Sequence, residues 1–502
     1  MKHLSATPAL ALLLAGCAVG PDFERPKPPD VTGYTAEKLA PETAAAETKG
    51  GDAQRFVDDQ DVPGQWWELF HSAPLNALVD QSLKHNPQID GAQAALRGAM
   101  QTLYAEEGAL FPTVQANFTP QRYKNAGQPS STLQKPTTYF NLYTAQLSVS
   151  YPLDLWGGTR RGIESARAQA ESQRYQLEAT YLTLTSNVVT AAIQEASLKA
   201  QIAATEEIIK VEHESLDLFQ KQLQLGQAAG SDVAAQQATL AQAEATLPPL
   251  QKQLAQQRDL IAALAGRFPS DQPAETFELD TLALPHDLPV TLPAKLIEHR
   301  PDIRAAEEDL HAATAQVGVA IANILPNLTL SATNGTTATQ IGQLFQPGNG
   351  FWVLGGSLTQ TVFDGGTLLA KKRQADAGLD QAMASYESTV QTAFQNVADA
   401  LRAVQSDADG VKANLAAERA ASRSLEIARR QQQLGSISYL AMLNAEQTYD
   451  QAVINLIQAK AARFTDTAGL FQALGGGWWN RADVVDPDAE KKVADVWRGN
   501  SL

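Results

Sequence analysis

Two long stretches of the chain place apolar residues at close to heptad spacing, with polar residues on the other faces. The first extends from about residue 159 to 225 without proline, and the second lies in the C-terminal half. This spacing predicts very long helices, each with a narrow apolar seam that a neighbouring helix covers. At ~1.5 Å per residue the first helix reaches about 100 Å, which exceeds any compact core. The seam residues are Leu177, Tyr181, Leu184, Val188, Ala191, Leu198, Ile202, Ile209, Leu216, Phe219 and Leu223 in the first stretch and Val390, Phe394, Val397, Leu401, Val404, Ala408, Val411 and Leu415 in the second.

Shorter segments ahead of each long stretch alternate apolar and polar residues with a period of two. This period predicts strands with one apolar face, two in each half of the chain, with a polar loop between them. The apolar positions are Val114, Ala116, Phe118, Leu147, Val149 and Tyr151 in the first half and Leu328, Leu330, Ala332, Leu354, Leu358 and Val362 in the second. Aromatic residues near the strand ends fit either the interfacial girdle of an outer-membrane barrel or ordinary core packing.

The same order of elements occurs twice along the chain. Residues 85–89 recur as 299–303 and residues 110–114 recur as 324–328, at one offset (299 − 85 = 214 and 324 − 110 = 214). We therefore predict an α+β, mostly α fold with an internal tandem duplication: a first repeat over 66–275 and a second over 276–478. Each repeat has a short helix, two strands, a long helix and a medium helix. A unit built twice favours function from assembled geometry over one catalytic cluster.

The two medium helices are predicted to differ. The first medium helix is expected from about Ser231 to Gly266, with a kink at Pro248 and Pro249 that the second repeat does not share.

Four strands per chain cannot close a barrel, and open sheet edges are not tolerated in lipid, so the chain must oligomerise. A dimer gives eight strands and a filled lumen, whereas a trimer gives twelve and a channel. We favour the trimer.

The N-terminus has the pattern of a bacterial lipoprotein signal. Lys2 and His3 precede an apolar run too short to span a bilayer, and small residues precede Cys17, the one cysteine of the sequence. We interpret residues 1–16 as a signal peptide and expect lipidation at Cys17. Residues 17–65 are rich in proline, alanine and acidic residues, which predicts a lipid-anchored arm, either an extended tether or a segment laid over another surface. Residues 479–502 form a C-terminal tail.

Charge and composition argue against several function classes. The net charge of −16 argues against nucleic acid as a partner, because phosphate binding needs a basic surface. His85, His299 and the segment Glu212 to Glu214 lack the spacing of metal ligands. No nucleophile, base and orienting group occur together. We therefore expect no enzyme activity, no cofactor and no metal site.

Four segments spread over nearly the whole chain carry a resemblance to a known family. They are Cys17 to Pro26, Trp66 to Phe70, Arg300 to Glu307 and Ala473 to Trp478. Together with the repeat, they resemble the TolC-like outer-membrane efflux channels, and among these the lipoprotein branch called NodT-like or OprM-like. The resemblance implies a homotrimer whose 12-strand barrel in the outer membrane continues into an α-helical barrel across the periplasm. It also implies a periplasmic adaptor protein and an inner-membrane transporter as partners of a passive exit duct.

The breaks after the two long helices are where the resemblance places adaptor docking and the gate. We name residues 225–233 the first tip turn and residues 434–440 the second tip turn. Gly226 and Gly435 are expected to end the long helices in the left-handed conformation. Ser231 is expected to cap the return helix. The remaining candidate tip residues are Asp232, Ser436, Tyr439 and Asn444.

Two of these tip positions keep alternative interpretations. Some relatives carry acidic gate residues where this chain has Ala441 and Asn444, so an acidic ring is not expected at that level. Asp232 is then the nearest carboxylate to the gate. It is explained equally well as a favourable charge at a helix N-terminus.

The substrate expected for such a duct is a small amphiphilic compound or drug. Export of metal ions or of a secreted protein is the alternative within this class, and the four methionines argue weakly against a thioether path for copper or silver. The alternative from another class of function is a lipid-anchored coiled-coil spacer without a pore. The strand pairs weigh against the spacer.

Overall fold

The computed structural model describes residues 18–31, 33–124 and 139–481, and within them eight α-helices and six strands. The helices are α1 (Ala73–His85), α2 (Pro87–Gly108), α3 (Gly158–Gln224), α4 (Gly230–Leu264), α5 (Pro293–His299), α6 (Pro301–Ala322), α7 (Thr367–Gln433) and α8 (Tyr439–Ala473). The strands are β1 (Arg55–Asp58), β2 (Thr113–Lys124), β3 (Tyr139–Leu153), β4 (Asp287–Val290), β5 (Asn327–Ala338) and β6 (Gly350–Thr359). No helix in these ranges is both long and apolar enough to cross a membrane.

Two runs of elements have the same order and the same helix lengths. The run α2, β2, β3, α3, α4 is followed by α6, β5, β6, α7, α8, and the helices of each run have 22, 67 and 35 residues. This is the predicted order. Helices α1 and α5, which precede the two runs, were not predicted. Each ends where a proline follows, because the residue before proline disfavours helical backbone: Asn86 and Arg300 have ψ of 122° and 124°.

The proline pair of the first run lies inside a helix. Helix α4 continues through Pro248 and Pro249 to Leu264. The pair therefore does not end the helix, although each proline removes one backbone donor from it.

The four long strands form one antiparallel sheet in the order β2-β3-β5-β6. Pairing of β3 with β5, with Leu147 opposite Asn334, joins the strands of the two runs. Val114 and Phe118 of β2 are exposed, as is Trp352 of β6. The sheet therefore leaves apolar side chains and both edge strands uncovered within the chain. Val362, which was predicted on the last strand, lies beyond it, because β6 ends at Thr359.

The chain forms two compact units: the four long strands belong to unit 1, and the short strands β1 and β4 belong to unit 2. Of the described residues, unit 1 contains 18–26, 95–124, 139–174 and 305–387, and unit 2 contains 27–31, 33–94, 175–304 and 388–481.

The N-terminal segment of unit 1 is held by two ion pairs, each of which has one buried and one exposed partner. The guanidinium of Arg161, a buried residue of α3, donates to Asp22 at 2.5 Å and to the carbonyl of Val19 at 3.3 Å. Arg25 donates to Glu307 of α6 at 2.6 Å. The residues that directly follow Cys17 therefore lie against α3 and α6. Cys17 itself is outside the described residues.

The core of unit 2 combines residues from both runs of elements. Trp66 is fully buried and stacks on Phe471 of α8, with ring centroids 5.4 Å apart. Leu184 of α3 and Val397 of α7 belong to the same cluster. Burial of such large side chains stabilises the fold by about 1.5–3 kcal/mol each. The central parts of the long helices are therefore held by apolar packing.

A segment of the N-terminal arm lies over α7 and α8 in unit 2. Glu37 accepts hydrogen bonds from Arg402, and Glu47 accepts one from Arg419. These pairs are exposed and contribute little stability. The stronger anchor is Arg463 of α8, which is fully buried.

Arg463 binds the arm through its whole guanidinium. It donates to the carbonyls of Asp52 at 2.5 Å and Gly50 at 3.3 Å, and to the side chains of Thr43 at 3.2 Å and Gln54 at 3.4 Å. A buried cation needs such partners, since leaving it unpaired is costly. The arm therefore satisfies Arg463, and Arg463 holds the arm.

Replacing this arginine tests whether the arm depends on it. Arg463→Met is expected to destabilise the fold by about 3 kcal/mol, because buried carbonyls and hydroxyls lose their donor. Limited trypsin digestion should then cut faster at Lys49 in the arm. Arg423→Met, at an exposed position of α7, is the matched control. Equal cleavage at Lys49 in both variants would show that the arm is held by other contacts.

Candidate functional site at the tip turns

Both long helices end in the same hydrogen-bonded turn. Gly226 has φ of 69° and Gly435 has φ of 71°, which is the left-handed conformation predicted for both. The N–H of Gly226 donates to the carbonyl of Leu223 at 3.0 Å, and the N–H of Gln227 donates to Gln222 at 2.8 Å. The second tip turn repeats this pair of bonds: Gly435 donates to Gln432, and Ser436 to Gln431, both at 2.9 Å. These are Schellman motifs, which satisfy the last carbonyls of a helix.

The two return helices begin differently, and the predicted cap at Ser231 is wrong. Helix α4 begins at Gly230, so its N-cap is Ala229, which has no side-chain acceptor, and Ser231 is already inside the helix. Asp232 compensates in part, since its carboxylate accepts from the N–H of Ala229 at 3.3 Å. In the second run, Ser438 caps α8 and accepts from the N–H of Ala441 at 3.2 Å.

A small apolar cluster packs the two tips together. We name it the tip cluster; it consists of Phe219, Val233, Ala428, Tyr439, Met442 and Leu443. The rings of Phe219 and Tyr439 lie with centroids 3.8 Å apart. The cluster therefore joins α3 and α4 of the first run to α7 and α8 of the second.

Tyr439 also links three helices through hydrogen bonds. Its hydroxyl donates to the side-chain carbonyl of Gln236 in α4. The amide of Gln236 donates to the carboxylate of Glu212 in α3 at 2.5 Å and to the backbone carbonyl of Glu212 at 3.0 Å. Burial, and then the charge of Glu212, raises the pKa of Tyr439. The hydroxyl therefore stays protonated and keeps its role as donor.

The other predicted tip residues lie at the surface. Gly226, Gly435, Ser436 and Asn444 are exposed. The hydroxyl of Ser436 donates to the carbonyl of Gln431, which reinforces the turn. The structure therefore brings Tyr439 into the packed tip and leaves these four available to a partner.

Next to the tip cluster lies an acidic cavity that was not predicted from the sequence. Glu212 of α3, Arg429 of α7, and Glu446 and Asp450 of α8 line a space of about 270 Å³. Arg429 donates to Glu446 at 2.5 Å. Glu212 and Glu446 are both buried, at 1% and 2% exposure. The feature of the sequence that could have indicated this cavity is Glu212, a charged residue that lies between Ile209 and Leu216 on the apolar seam.

The environment of the acidic cavity disfavours carboxylate charge. Burial, and then the charge of Glu446, raises the pKa of Glu212 to about 7. Burial, and then the charge of Glu446, also raises the pKa of Asp450 to about 7. The cavity therefore holds protons that exposed carboxyls lose at a lower pH.

The acidic groups of the cavity are not arranged as a metal site. Among the described residues, no group of three or more histidine, cysteine, aspartate or glutamate side chains is placed to hold a metal ion. His213, next to Glu212 in sequence, instead contacts the exposed Glu244 at 3.1 Å.

Comparison with known proteins identifies the architecture. A family model described as outer membrane efflux protein matches residues 78–267 and 292–476. The chain belongs to this family. The resemblance to TolC-like efflux channels is thereby confirmed, and so is the expectation that the chain is not an enzyme, because members of the family are transport ducts.

Individual relatives cover nearly all of this efflux protein. It is 29% identical over 493 residues to the antibiotic efflux pump outer membrane protein ArpC of Pseudomonas putida, covering 97% of this chain and 98% of ArpC. It is 28% identical over 484 residues to the pyoverdine export outer membrane protein OpmQ of Pseudomonas putida strain KT2440, covering 95% of this chain and 98% of OpmQ. The solved structure of the outer-membrane channel OprN is similar with a TM-score of 0.82 at 29% identity, covering 92% of this chain and 100% of OprN.

The conformation of the two turn glycines has a measurable cost. Gly226→Ala and Gly435→Ala are each expected to destabilise the efflux protein by about 1 kcal/mol, because alanine is strained at positive φ. Gly410→Ala is the matched control, since Gly410 lies within α7 with open space around its Cα. That substitution should stabilise by about 0.5–1 kcal/mol, because alanine favours helix. Thermal unfolding that moves all three variants in one direction would contradict the turn geometry.

The acidic cavity predicts that stability falls as pH rises. The ordinary carboxyl pKa values are 4.5 for Glu212 and 3.8 for Asp450, and both are raised to about 7 in the fold. The folded state therefore holds more protons than the unfolded state between these values, and loses the associated stability as pH rises through about 7. We expect a loss of about 1–3 kcal/mol between pH ~4.5 and ~7.5.

Isosteric amides test that assignment. The double variant Glu212→Gln with Asp450→Asn should have a smaller slope, measured as the change in melting temperature with pH, and the slope that remains includes Asp407, whose pKa burial also raises to about 7. Glu206→Gln, at an exposed position of α3, should keep it. A double variant with the slope of the unsubstituted protein would place its origin elsewhere.

Proposed function

We propose that three copies of this chain form a passive exit duct of a tripartite efflux pump. The observation that carries the proposal is the four-stranded sheet with two open edges, β2 and β6, and exposed apolar side chains on both. Open edges are not tolerated in lipid. Pairing β2 of one copy with β6 of the next closes a barrel of twelve strands when three copies meet, which leaves a channel.

The long helices supply the second part of the proposed duct. Helices α3 and α7 have narrow seams, and their other faces are polar, which suits a wall between neighbouring helices and water. Three chains contribute six such helices to an α-helical barrel that extends into the periplasm. Lipidation at Cys17 anchors the chain, and the segment after Cys17 lies fastened against α3 and α6 by Arg161 and Arg25.

The tip turns are the proposed docking surface for a periplasmic adaptor, which couples the duct to an inner-membrane transporter. Leu225 and Leu434 occupy the same position in the two Schellman motifs and are 71% and 77% exposed. Exposed apolar side chains beside Gly226, Gly435 and Ser436 offer a surface that a partner covers. Asp232, Tyr439 and Asn444 belong to the proposed gate, of which the Tyr439 to Gln236 bond is the closing contact.

The proposed cargo is small and amphiphilic. The names of the relatives support this class, since one is an antibiotic efflux protein and another exports pyoverdine. The transporter selects the cargo, and the duct conducts it without chemistry.

Planar-bilayer conductance of the purified full-length oligomer tests the duct and its gate together. Tyr439→Phe removes the hydroxyl that donates to Gln236 and is expected to raise the open fraction about fivefold, since one hydrogen bond contributes ~1 kcal/mol. Tyr104→Phe, at an exposed tyrosine of α2, should leave the conductance unchanged.

Two results would contradict this proposal in different ways. A folded oligomer that does not conduct in either form, even with the tip loosened, would exclude the duct. A conducting oligomer whose open fraction ignores Tyr439→Phe would exclude the gate while keeping the duct. Native mass spectrometry of the same sample tests the trimer.

A further inference from the structure

The acidic cavity beside the tip cluster carries more negative charge than its one cation balances. Glu212, Glu446 and Asp450 line it against the single guanidinium of Arg429, while a fourth carboxylate of the lining, Glu207, is paired with Lys210 at 3.1 Å. That guanidinium is itself 45% exposed and reaches one oxygen of Glu446. The cavity therefore attracts a further positive charge.

Two carboxylate oxygens of this cavity are buried without a hydrogen-bond partner among the described residues. They are Oε1 of Glu212 and Oε2 of Glu446. Both side chains are almost fully buried, although each satisfies its other oxygen, Glu212 through Gln236 and Glu446 through Arg429. A buried acceptor without a donor costs about 1–3 kcal/mol. Two such acceptors on one cavity indicate a missing donor.

The remaining walls determine what kind of donor fits. Ile208 and Val211 of α3 and Val453 of α8 are apolar, and Tyr449 adds an aromatic ring. A volume of about 270 Å³ is close to the lower bound of ordinary small-ligand pockets. The carboxylates are not placed as a metal-binding group. A compact ion with several N–H donors and a short hydrocarbon tail fits the cavity, because its N–H groups donate to the unpaired oxygens and its tail packs against the apolar walls.

We propose that the acidic cavity binds a small primary ammonium ion, with its NH₃⁺ group donating to Glu212 and Glu446 and its alkyl tail against Ile208, Val211 and Val453. An ammonium has three donors, so Asp450 is the third acceptor. The same charge selects against anions, and the apolar walls select against small inorganic cations. This site is independent of conductance, because binding requires no flow through the oligomer.

Protons compete with the ammonium at this site. The groups that titrate or carry charge here are Glu207, with its partner Lys210, and Glu212 on α3, Arg429 on α7, and Glu446, Tyr449 and Asp450 on α8. Because burial raises the pKa of Glu212 and Asp450 to about 7, the cavity is partly protonated at neutral pH. Ammonium binding therefore releases protons and strengthens as pH rises.

Isothermal titration of the purified full-length protein with n-butylammonium at about pH 8 tests the proposal. We expect saturable binding with a Kd below about 1 mM, and about tenfold weaker binding near pH 5. Glu212→Gln and Glu446→Gln should each weaken binding about tenfold. Glu206→Gln and Glu426→Gln, at exposed positions of α3 and α7, should bind as the unsubstituted protein does.

A gain of affinity separates this proposal from simple misfolding. Arg429→Met removes the resident cation and should strengthen n-butylammonium binding about threefold or more, which a damaged fold cannot do. Absence of saturable binding up to about 10 mM would overturn the site. So would equal binding of n-butanol, weaker binding by Arg429→Met, or Mg²⁺ binding that Glu212→Gln and Glu446→Gln abolish.

Discussion

The narrow apolar seam of the long helices is the constraint on which the rest of the structure depends. A seam covers one stripe of a helix, so α3 and α7 have little other apolar surface with which to hold a neighbour. In the core of unit 2, Trp66 and Phe471 add large buried rings to the seam. At the tips the apolar packing is limited to the small tip cluster, with Phe219 and Tyr439 as its two rings. Hydrogen bonds therefore add to the packing of the helices there.

The hydrogen bonds at the tips come from polar residues that occupy buried positions, including positions on the apolar seam. Glu212 lies where the heptad pattern of α3 calls for an apolar side chain, and Glu446 is buried on α8. Burying carboxyl groups is unfavourable unless they are paired or protonated. Gln236 and Arg429 pair one oxygen of each, and burial raises the pKa of Glu212, which favours its protonated form. A violation of local pattern that persists in a packed region is typical of function.

Periodicity was sufficient to predict the helices that are long. The first medium helix was placed at 231–266 and is observed as α4, Gly230–Leu264, and the paired turn glycines were placed correctly. The short elements were not predicted. Strands β1 and β4 have four residues each, too few for a period to emerge, and they form only by pairing with each other across the sequence.

The missed cap and the missed cavity have different physical reasons. Gly230, Ser231 and Asp232 all suit a helix start, so local preference alone could not choose the first helical residue. The acidic cavity depends on the rotation of three helices. In sequence, Glu212 resembles the exposed Glu214 two residues later, and only the packing of α3 against α7 and α8 separates them.

The two tips are unequal in how they are held, and this inequality decides which helix a gate would release. Helix α8 starts on a side-chain cap from Ser438, worth about 1 kcal/mol, whereas Ala229 gives α4 none. The start of α4 therefore depends on contacts made by other helices, above all the bond between Gln236 and Tyr439. Breaking that bond leaves α8 with its own cap and leaves α4 with the weak bond from Asp232. In the proposed duct, opening therefore begins with α4.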